Sequence, residues 1–147
     1  MSLKLLLEQN NITRHKTSKQ EISNLLELVD RDIADSKITQ LSDDRRFATV
    51  YNAALQLGTI LLYCEGYKTR GMGHHYTVFQ AMKHILGKEY HSLADYFDSC
   101  RAKRNMADYT GAGNVSNAEV EELIKEVELF RDAAMSWVKK NHPILLK

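Results

Sequence analysis

Hydrophobic residues recur at intervals of three and four positions along most of the chain, which is the spacing of one face of an α-helix. The last such segment shows the longest stripe, formed by Val120, Leu123, Ile124, Val127, Phe130, Ala134, Trp137 and Val138. No segment shows the strict alternation of apolar and polar residues that is typical of a strand. The pattern therefore predicts a protein that is helical almost throughout.

Capping residues divide this pattern into separate helices. Ser18 and Ser116 are each followed three positions later by a glutamate, which is the sequence of a capping box, and Ser42 precedes two aspartates. Gly66 is a natural residue to end a helix, because glycine readily adopts a positive φ. Five main helices are predicted, at residues 18–36, 42–65, 76–86, 92–109 and 116–142.

Five helices with mostly short connections favour an all-α, up-and-down antiparallel bundle. The chain has 147 residues, enough for one domain with a core. We expect a partly ordered leader at residues 1–17, a single helical domain at 18–141 and a tail at 142–147. The leader includes one or two helical turns at Leu3–Glu8. The pair Ala54 and Gly58 on the second main helix predicts close approach of a neighbouring helix.

Composition narrows the classes of function. The formal net charge is only +1, so any binding of an anionic partner must depend on a local cluster of cations. Cys64 and Cys100 both lie in apolar helical patterns, which indicates reduced core residues. No spacing of cysteine, histidine or acidic residues is typical of a metal site, and we expect neither a metal nor a cofactor.

The amino-terminal segment does not resemble a signal peptide, because its apolar stretch is short and no small-residue cleavage site follows it. The longest apolar run, residues 54–64, is shorter than a membrane-spanning helix. We therefore expect a cytoplasmic protein without a membrane partner.

One polar cluster stands out on the fourth main helix, in the sequence RAKRNMADYT. On a helical wheel Arg104 falls inside the apolar arc, and Arg101, Asn105 and Asp108 lie beside that arc. A guanidinium on the packed side of a helix requires a partner, because an unpaired buried charge is costly. One interpretation is structural: Arg104 pairs with Asp108, and Arg101 with Asn105, at the i,i+4 spacing.

The other interpretation is a site for an anion or a phosphodiester. The planar guanidinium matches the geometry of phosphate oxygens, so Arg101 and Arg104 are the candidate phosphate ligands. Asn105 would orient the phosphate, and Asp108 and Tyr109 would set the geometry or transfer protons. The spacing is compatible with both interpretations.

A second candidate site is the glycine-containing segment RGMGHHY, which contains Arg70, His74 and His75 and leads into a helix. The start of a helix suits an anion, so these three residues are candidate phosphate or nucleic-acid contacts. The alternative is that one histidine caps the helix and the other packs against it. A metal is not predicted, since adjacent histidines diverge and no further ligand is nearby.

The order of these features resembles a HEPN domain, and in particular the stand-alone bacterial HEPN proteins. The resemblance is carried by DDRRFATVYNAALQLGTILLYCEGY, RGMGHHY, RAKRNMADY and VSNAEVEELIKEVELFRDAAMSWV, and it covers residues 18–138. It implies a helical bundle that often forms a homodimer. It also implies a ribonuclease site shared between two copies, and a partner such as a nucleotidyltransferase antitoxin. Other members of the family are inactive and act as binding modules.

The family's ribonuclease motif consists of an arginine, a polar residue and a histidine four to six positions after the arginine. Arg104 and Asn105 match its first two positions, but Asp108 and Tyr109 stand where the histidine is expected. Aspartate and tyrosine have pKa values far from neutrality, so they are poor substitutes for a histidine. His74 or His75 would replace it only if the loop reaches Arg104.

Three hypotheses follow from this pattern. The first is an RNA- or nucleotide-binding protein, in a toxin–antitoxin or defence context, with weak or absent nuclease activity. The second is an active metal-independent endoribonuclease with a variant site. The third is a dimeric protein-interaction module without catalysis, in which the polar cluster of the fourth main helix is an ion-pair network.

Overall fold

The computed structural model describes residues 2–71, 74–110 and 115–146, and it describes the side chains of these residues except at 106–110. Within these ranges the protein is an all-α helical bundle with one small sheet. The helices are α1 (Leu3–Glu8), α2 (Lys19–Ser36), α3 (Asp43–Cys64), α4 (His74–Leu86), α5 (His91–Thr110) and α6 (Asn117–Asn141). Two short 3-10 turns lie at Lys88–Tyr90 and Pro143–Leu146.

The capping residues predicted from the sequence begin the helices in the structure. The hydroxyls of Ser18, Ser42 and Ser116 each accept a hydrogen bond from a backbone N–H in the first turn of the helix that follows. Ser116 and Glu119 form the complete capping box. Gly66 follows the last turn of α3 with a φ of +92°, as expected of a glycine at that position. These helix boundaries are therefore confirmed.

The central helix of the bundle is α3, and it packs against α2, α4, α5 and α6. By length and composition alone α3 would be able to cross a membrane, but 61% of its most apolar window is buried inside the protein. This burial is that of a core helix in a soluble protein. The cysteines Cys64 and Cys100 are buried and free, and burial raises their thiol pKa values to about 12 and about 11.

The contact between α3 and α4 is as close as the small residues predicted. A Cβ atom added to Gly58 would clash with the side chain of Val78. Only a glycine therefore allows α4 to lie this near to α3 at that point. This approach places the amino-terminal turn of α4 beside the middle of α3, where the candidate site lies.

The structure adds one short sheet that the helical pattern did not indicate. Strands β1 (Ile12–Arg14) and β2 (Tyr67–Thr69) pair antiparallel, with Ile12 opposite Thr69. Three residues are too few to show an alternating pattern, so the sequence carried no signal for this sheet. Ile12 is buried together with Leu6 of α1 in a second, smaller hydrophobic cluster. The leader is thus attached to the bundle by both packing and a backbone ladder.

Two helix starts also differ from the prediction. Helix α4 begins at His74, two residues earlier than predicted, and α5 begins at His91, directly after a 3-10 turn. Both differences lie within the usual uncertainty of helix ends. The earlier start of α4 places both histidines of the RGMGHHY segment on the first turn of a helix.

A buried arginine that the sequence did not single out joins three helices. Arg46 of α3 is only 2% exposed. Its Nε donates to the backbone carbonyl of Ser36 at 2.7 Å, and one of its terminal nitrogens donates to Glu121 Oε1 at 2.8 Å. The carboxylate of Asp43 lies 3.7 Å from the other terminal nitrogen. Arg46 therefore donates a hydrogen bond to the last carbonyl of α2 and connects α2 to α3 and α6.

Candidate functional site

Side chains from α3, α4 and α5 meet where the first turn of α4 lies against the bundle. Tyr51 comes from the middle of α3, and its side chain is fully buried. Its hydroxyl oxygen lies 3.0 Å from Nδ1 of His75 on α4, so the two groups share a hydrogen bond. Their ring centroids are 5.8 Å apart. Tyr51 thus fixes the position of the imidazole through Nδ1, and this contact does not involve Nε2.

Arg104 of α5 packs on the ring of Tyr51. Its guanidinium carbon lies 5.5 Å from the centroid of the Tyr51 ring, which is the distance of a cation–π contact. Its Nε is buried and has no hydrogen-bond partner among the residues that the structure describes. The side chain of Asp108, which the structural interpretation of the sequence pairs with Arg104, lies outside the described residues. The aromatic face of Tyr51 therefore stabilises the Arg104 charge without using its hydrogen-bond donors.

Arg101 lies one turn before Arg104 and has a different partner from the one that the structural interpretation assigned to it. Its Nε donates to Asp98 Oδ1 at 2.8 Å, and this contact raises the pKa of Arg101. The structural interpretation had paired Arg101 with Asn105. The third cation of the cluster, Lys103, forms an ion pair with Glu119 of α6. Of the three cations, Arg101 and Arg104 are the two that stand beside His75.

A surface pocket of about 200 Å³ lies at this junction. It is lined by His74, His75, Tyr76, Arg101 and Asn105. These residues come from α4 and α5, so neither helix forms the pocket alone. The lining combines a cation, an amide and two imidazoles, all of which donate hydrogen bonds or carry positive charge in one protonation state. Such a set of groups suits an anion better than a cation or an apolar ligand.

The environment of His75 keeps its imidazole neutral at pH 7. Burial lowers its pKa from 6.5 to about 4, and the nearby charges of His74, Arg104 and Arg101 act in the same direction. Tyr51 also stays neutral, because burial raises its pKa more than the two arginines lower it. The site therefore combines two permanent positive charges with a neutral imidazole that is held in place by a neutral phenol.

The structure thus brings together part of the two clusters that the sequence indicated. His74, His75, Arg101 and Asn105 line one pocket, and Arg104 is linked to His75 through the ring of Tyr51. His75 of the RGMGHHY segment therefore reaches the surroundings of Arg104.

Other candidate residues have a different position or fall outside the described side chains. Arg70 is exposed and does not line this pocket; its backbone N–H donates to the carbonyl of Asn11 at 3.0 Å, next to the small sheet. Asp108 and Tyr109 belong to the last turn of α5, and their side chains are outside the described residues. In the described part of the chain no group of histidine, cysteine and acidic residues is arranged to hold a metal ion.

Two tyrosines of this region were missed as site residues. Tyr51 lies on the apolar stripe of α3, so the sequence assigns it to the core, and its hydroxyl contact with a residue 24 positions away leaves no local signal. Tyr76 follows the two histidines and lines the pocket with a half-exposed side chain. Its position beside the histidines was a signal that the sequence contained.

Searches with this chain against models of protein families, curated protein sequences and solved structures found no match.

Proposed function

We propose that the protein binds RNA or a nucleotide through a phosphate group held in the pocket between α4 and α5. The observation that carries this proposal is the convergence of His74, His75, Arg101 and Asn105 on one pocket, with the guanidinium of Arg104 next to it. The resemblance of the sequence to HEPN domains supports the same function. That resemblance also suggests a homodimer, a nucleotidyltransferase antitoxin as partner, a toxin–antitoxin or defence context, and a cytoplasmic location.

The low net charge of the protein favours a local site for RNA at the pocket between α4 and α5. The net charge of +1 provides no general attraction for nucleic acid, so the affinity depends on Arg101 in the pocket and on Arg104 beside it. Arg101 is partly neutralised by Asp98, whereas the Nε of Arg104 finds no acceptor among the described residues. A phosphate in the pocket would accept hydrogen bonds from Arg101 and would lie near the positive charge of Arg104, which does not itself line the pocket. Affinity for RNA should therefore be modest and should depend strongly on salt.

The test is a salt titration of binding to a labelled single-stranded RNA. For the wild-type protein the logarithm of the association constant should fall linearly with the logarithm of salt concentration. Arg101→Ala or Arg104→Ala should reduce that slope by about 0.7–1 for each phosphate that the variant no longer binds. Arg31→Ala is the matched control, because it removes an arginine on α2 that is 61% exposed and pairs with Asp32. Arg104→Lys retains the charge near Tyr51 and separates loss of binding from loss of folding.

If both alanine variants keep the wild-type affinity and slope while remaining folded, phosphate binding at this pocket is wrong. If wild-type protein has no measurable affinity for RNA or nucleotides at low salt, the interaction-module hypothesis takes its place. Light scattering of the same samples measures whether the protein is a dimer, and Arg104→Ala tests whether the polar cluster supports that dimer.

A metal-independent endoribonuclease is the second candidate, and one observation favours it. The two histidines of α4 lie in the same pocket as Arg101 and Asn105, so a proton-transfer group stands beside the proposed phosphate site although α5 lacks the motif histidine. His75, whose pKa burial lowers to about 4, is a weak base and would help to bind the substrate. His74 would then transfer the proton, and an arginine would stabilise charge on phosphorus.

Digestion of total RNA in the presence of a chelator tests this activity. An active wild type with His74→Gln, His75→Gln and Arg104→Ala variants that cleave at least about tenfold more slowly is the expected result for an enzyme. A wild-type protein that leaves the RNA intact at high concentration excludes it, and the protein is then a binding protein only.

A further inference from the structure

Tyr76 is exposed, whereas the other phenylalanine, tyrosine and tryptophan side chains that the structure describes are buried or partly buried. Among the described residues the exposed large hydrophobic side chains are Ile38, Tyr76, Leu129 and Ile144, and Tyr76 is the one aromatic member. The three residues that follow it on α4 are all buried. Tyr76 therefore faces away from the core with half of its surface open to solvent, and core packing does not account for it.

The position of Tyr76 connects it with the proposed phosphate site. Tyr76 lines the same pocket as His74, Arg101 and Asn105. It is close enough to Arg101 to contribute to the electrostatic environment of that guanidinium. Within the described part of the chain no aromatic ring and no cation packs against the face of Tyr76, although such contacts occur for Tyr51 and Tyr67. A flat apolar surface thus stands directly beside a group of phosphate-binding side chains.

An aromatic ring beside cationic and polar side chains is complementary to a nucleotide whose base is unpaired. A nucleotide consists of an anionic phosphate and a planar base, and proteins that bind single strands combine cations for the backbone with aromatic side chains on which bases stack. In a duplex the base faces are already stacked on one another and are inaccessible to a side chain. The ring of Tyr76 can therefore stack on the base beside a bound phosphate only where that base is unpaired.

We propose that the pocket selects a phosphate of single-stranded RNA, and that the base adjacent to this phosphate stacks on Tyr76. This inference rests on the proposed function, because it requires a phosphate in the pocket. Asn105 lines the same pocket and offers an amide that can donate to or accept from the edge of the base. Stacking accepts any base, so the site should distinguish single strands from duplexes more strongly than one sequence from another.

The experiment measures binding of four ligands to the full chain. The ligands are a labelled single-stranded RNA, the same strand in a duplex, adenosine monophosphate and inorganic pyrophosphate. The variants are Tyr76→Ala, Tyr76→Phe and, as a matched loss of an exposed apolar side chain elsewhere, Leu129→Ala on α6, whose side chain is 55% exposed in the wild type. Arg101→Ala is measured in parallel, because it reports on the phosphate site itself.

The expected result is a loss of affinity for the single strand alone. Tyr76→Ala should weaken binding of the single strand by about 5-fold to 150-fold, which is the range for loss of one stacked base, and should leave pyrophosphate binding unchanged. Tyr76→Phe and Leu129→Ala should bind as the wild type does. The duplex should bind more weakly than the single strand and should not respond to Tyr76→Ala.

Three results would overturn the inference, and they are distinguishable from failure of the phosphate site. If Arg101→Ala weakens RNA binding but Tyr76→Ala does not, the phosphate site stands and the stacking role is wrong. If adenosine monophosphate binds as tightly as the strand and displaces it fully, the ligand is a free nucleotide and not RNA. If Tyr76→Ala changes the mass of the protein in light scattering, Tyr76 belongs to an interface between copies. Should Arg101→Ala have no effect on any ligand, the phosphate site itself fails.

Discussion

The neutral imidazole of His75 should make the stability of this protein depend on pH in a way that one substitution removes. In an unfolded chain a histidine has a pKa of 6.5, whereas burial and the charges of His74, Arg104 and Arg101 lower the pKa of His75 in the folded protein to about 4. Between these two values the unfolded chain binds a proton that the folded protein does not bind. His75 therefore contributes stability that is complete above pH 6.5 and is lost as the pH falls from 6.5 towards 4.

The size of this contribution follows from the same two values. Stability changes by about 1.4 kcal/mol per pH unit for one proton, so a change from about pH 6.5 to about pH 5 corresponds to at most about 2 kcal/mol. The imidazole is only half-buried, and solvent screening reduces this figure to about 1 kcal/mol. Such a change is measurable by urea denaturation, and for a protein of this size it corresponds to a shift of roughly 2–4 °C in the melting temperature.

The assay compares wild-type protein with His75→Gln at several pH values between about 5 and 7.5. The difference in unfolding free energy between the two proteins should move by about 1 kcal/mol in favour of the variant as the pH falls from about 7 to about 5. His84 also has a lowered pKa, but it is present in both proteins and cancels in the difference. A difference that stays constant over this range, or an NMR titration of His75 with a midpoint at the ordinary histidine value of 6.5 or above, would refute the reasoning.

Two further substitutions test the contacts that support the site and the bundle. Tyr51→Phe removes the hydroxyl that bonds to His75 but keeps the ring beneath the arginine, so it should cost about 1 kcal/mol and lower the melting temperature by roughly 2–4 °C; an unchanged melting curve would contradict the hydrogen bond. Arg46→Met fills the same space but leaves the buried carbonyl of Ser36 without its donor, and we expect a loss of about 2 kcal/mol in urea denaturation. Arg46→Lys is its control and should recover part of this loss, since it restores one donor.

Helix boundaries could be predicted from the sequence because the interactions that set them are local. The Ser116–Glu119 capping box joins residues three positions apart, and Gly66 ends α3 through its own backbone conformation. The apolar stripes identified the core in the same way, because a helix presents every third or fourth residue to its neighbours. The prediction of close approach at Gly58 was also confirmed, since it depends only on the absence of a side chain at one position.

The contacts that define the candidate site could not be predicted in this way. Tyr51 and His75 belong to different helices, and whether their polar atoms meet depends on how α4 docks against α3. The sequence could therefore assign Tyr51 to the core but could not identify the partner of its hydroxyl. Arg101 has partners at both i−3 and i+4 within reach, and its choice of Asp98 is set by the side-chain geometry of the folded helix.

The sequence alone thus determined that this protein is a helical bundle, where most of its main helices begin and end, and which residues are candidates for an anion site. The tertiary structure decided which of those residues share a pocket, that Arg70 is not among them, and that β1 pairs with β2, which lies far from it along the chain. The physical reason is the sequence separation over which each kind of interaction acts. Caps and stripes act within one or two turns of a helix, whereas the pocket and the sheet exist only after distant segments have packed.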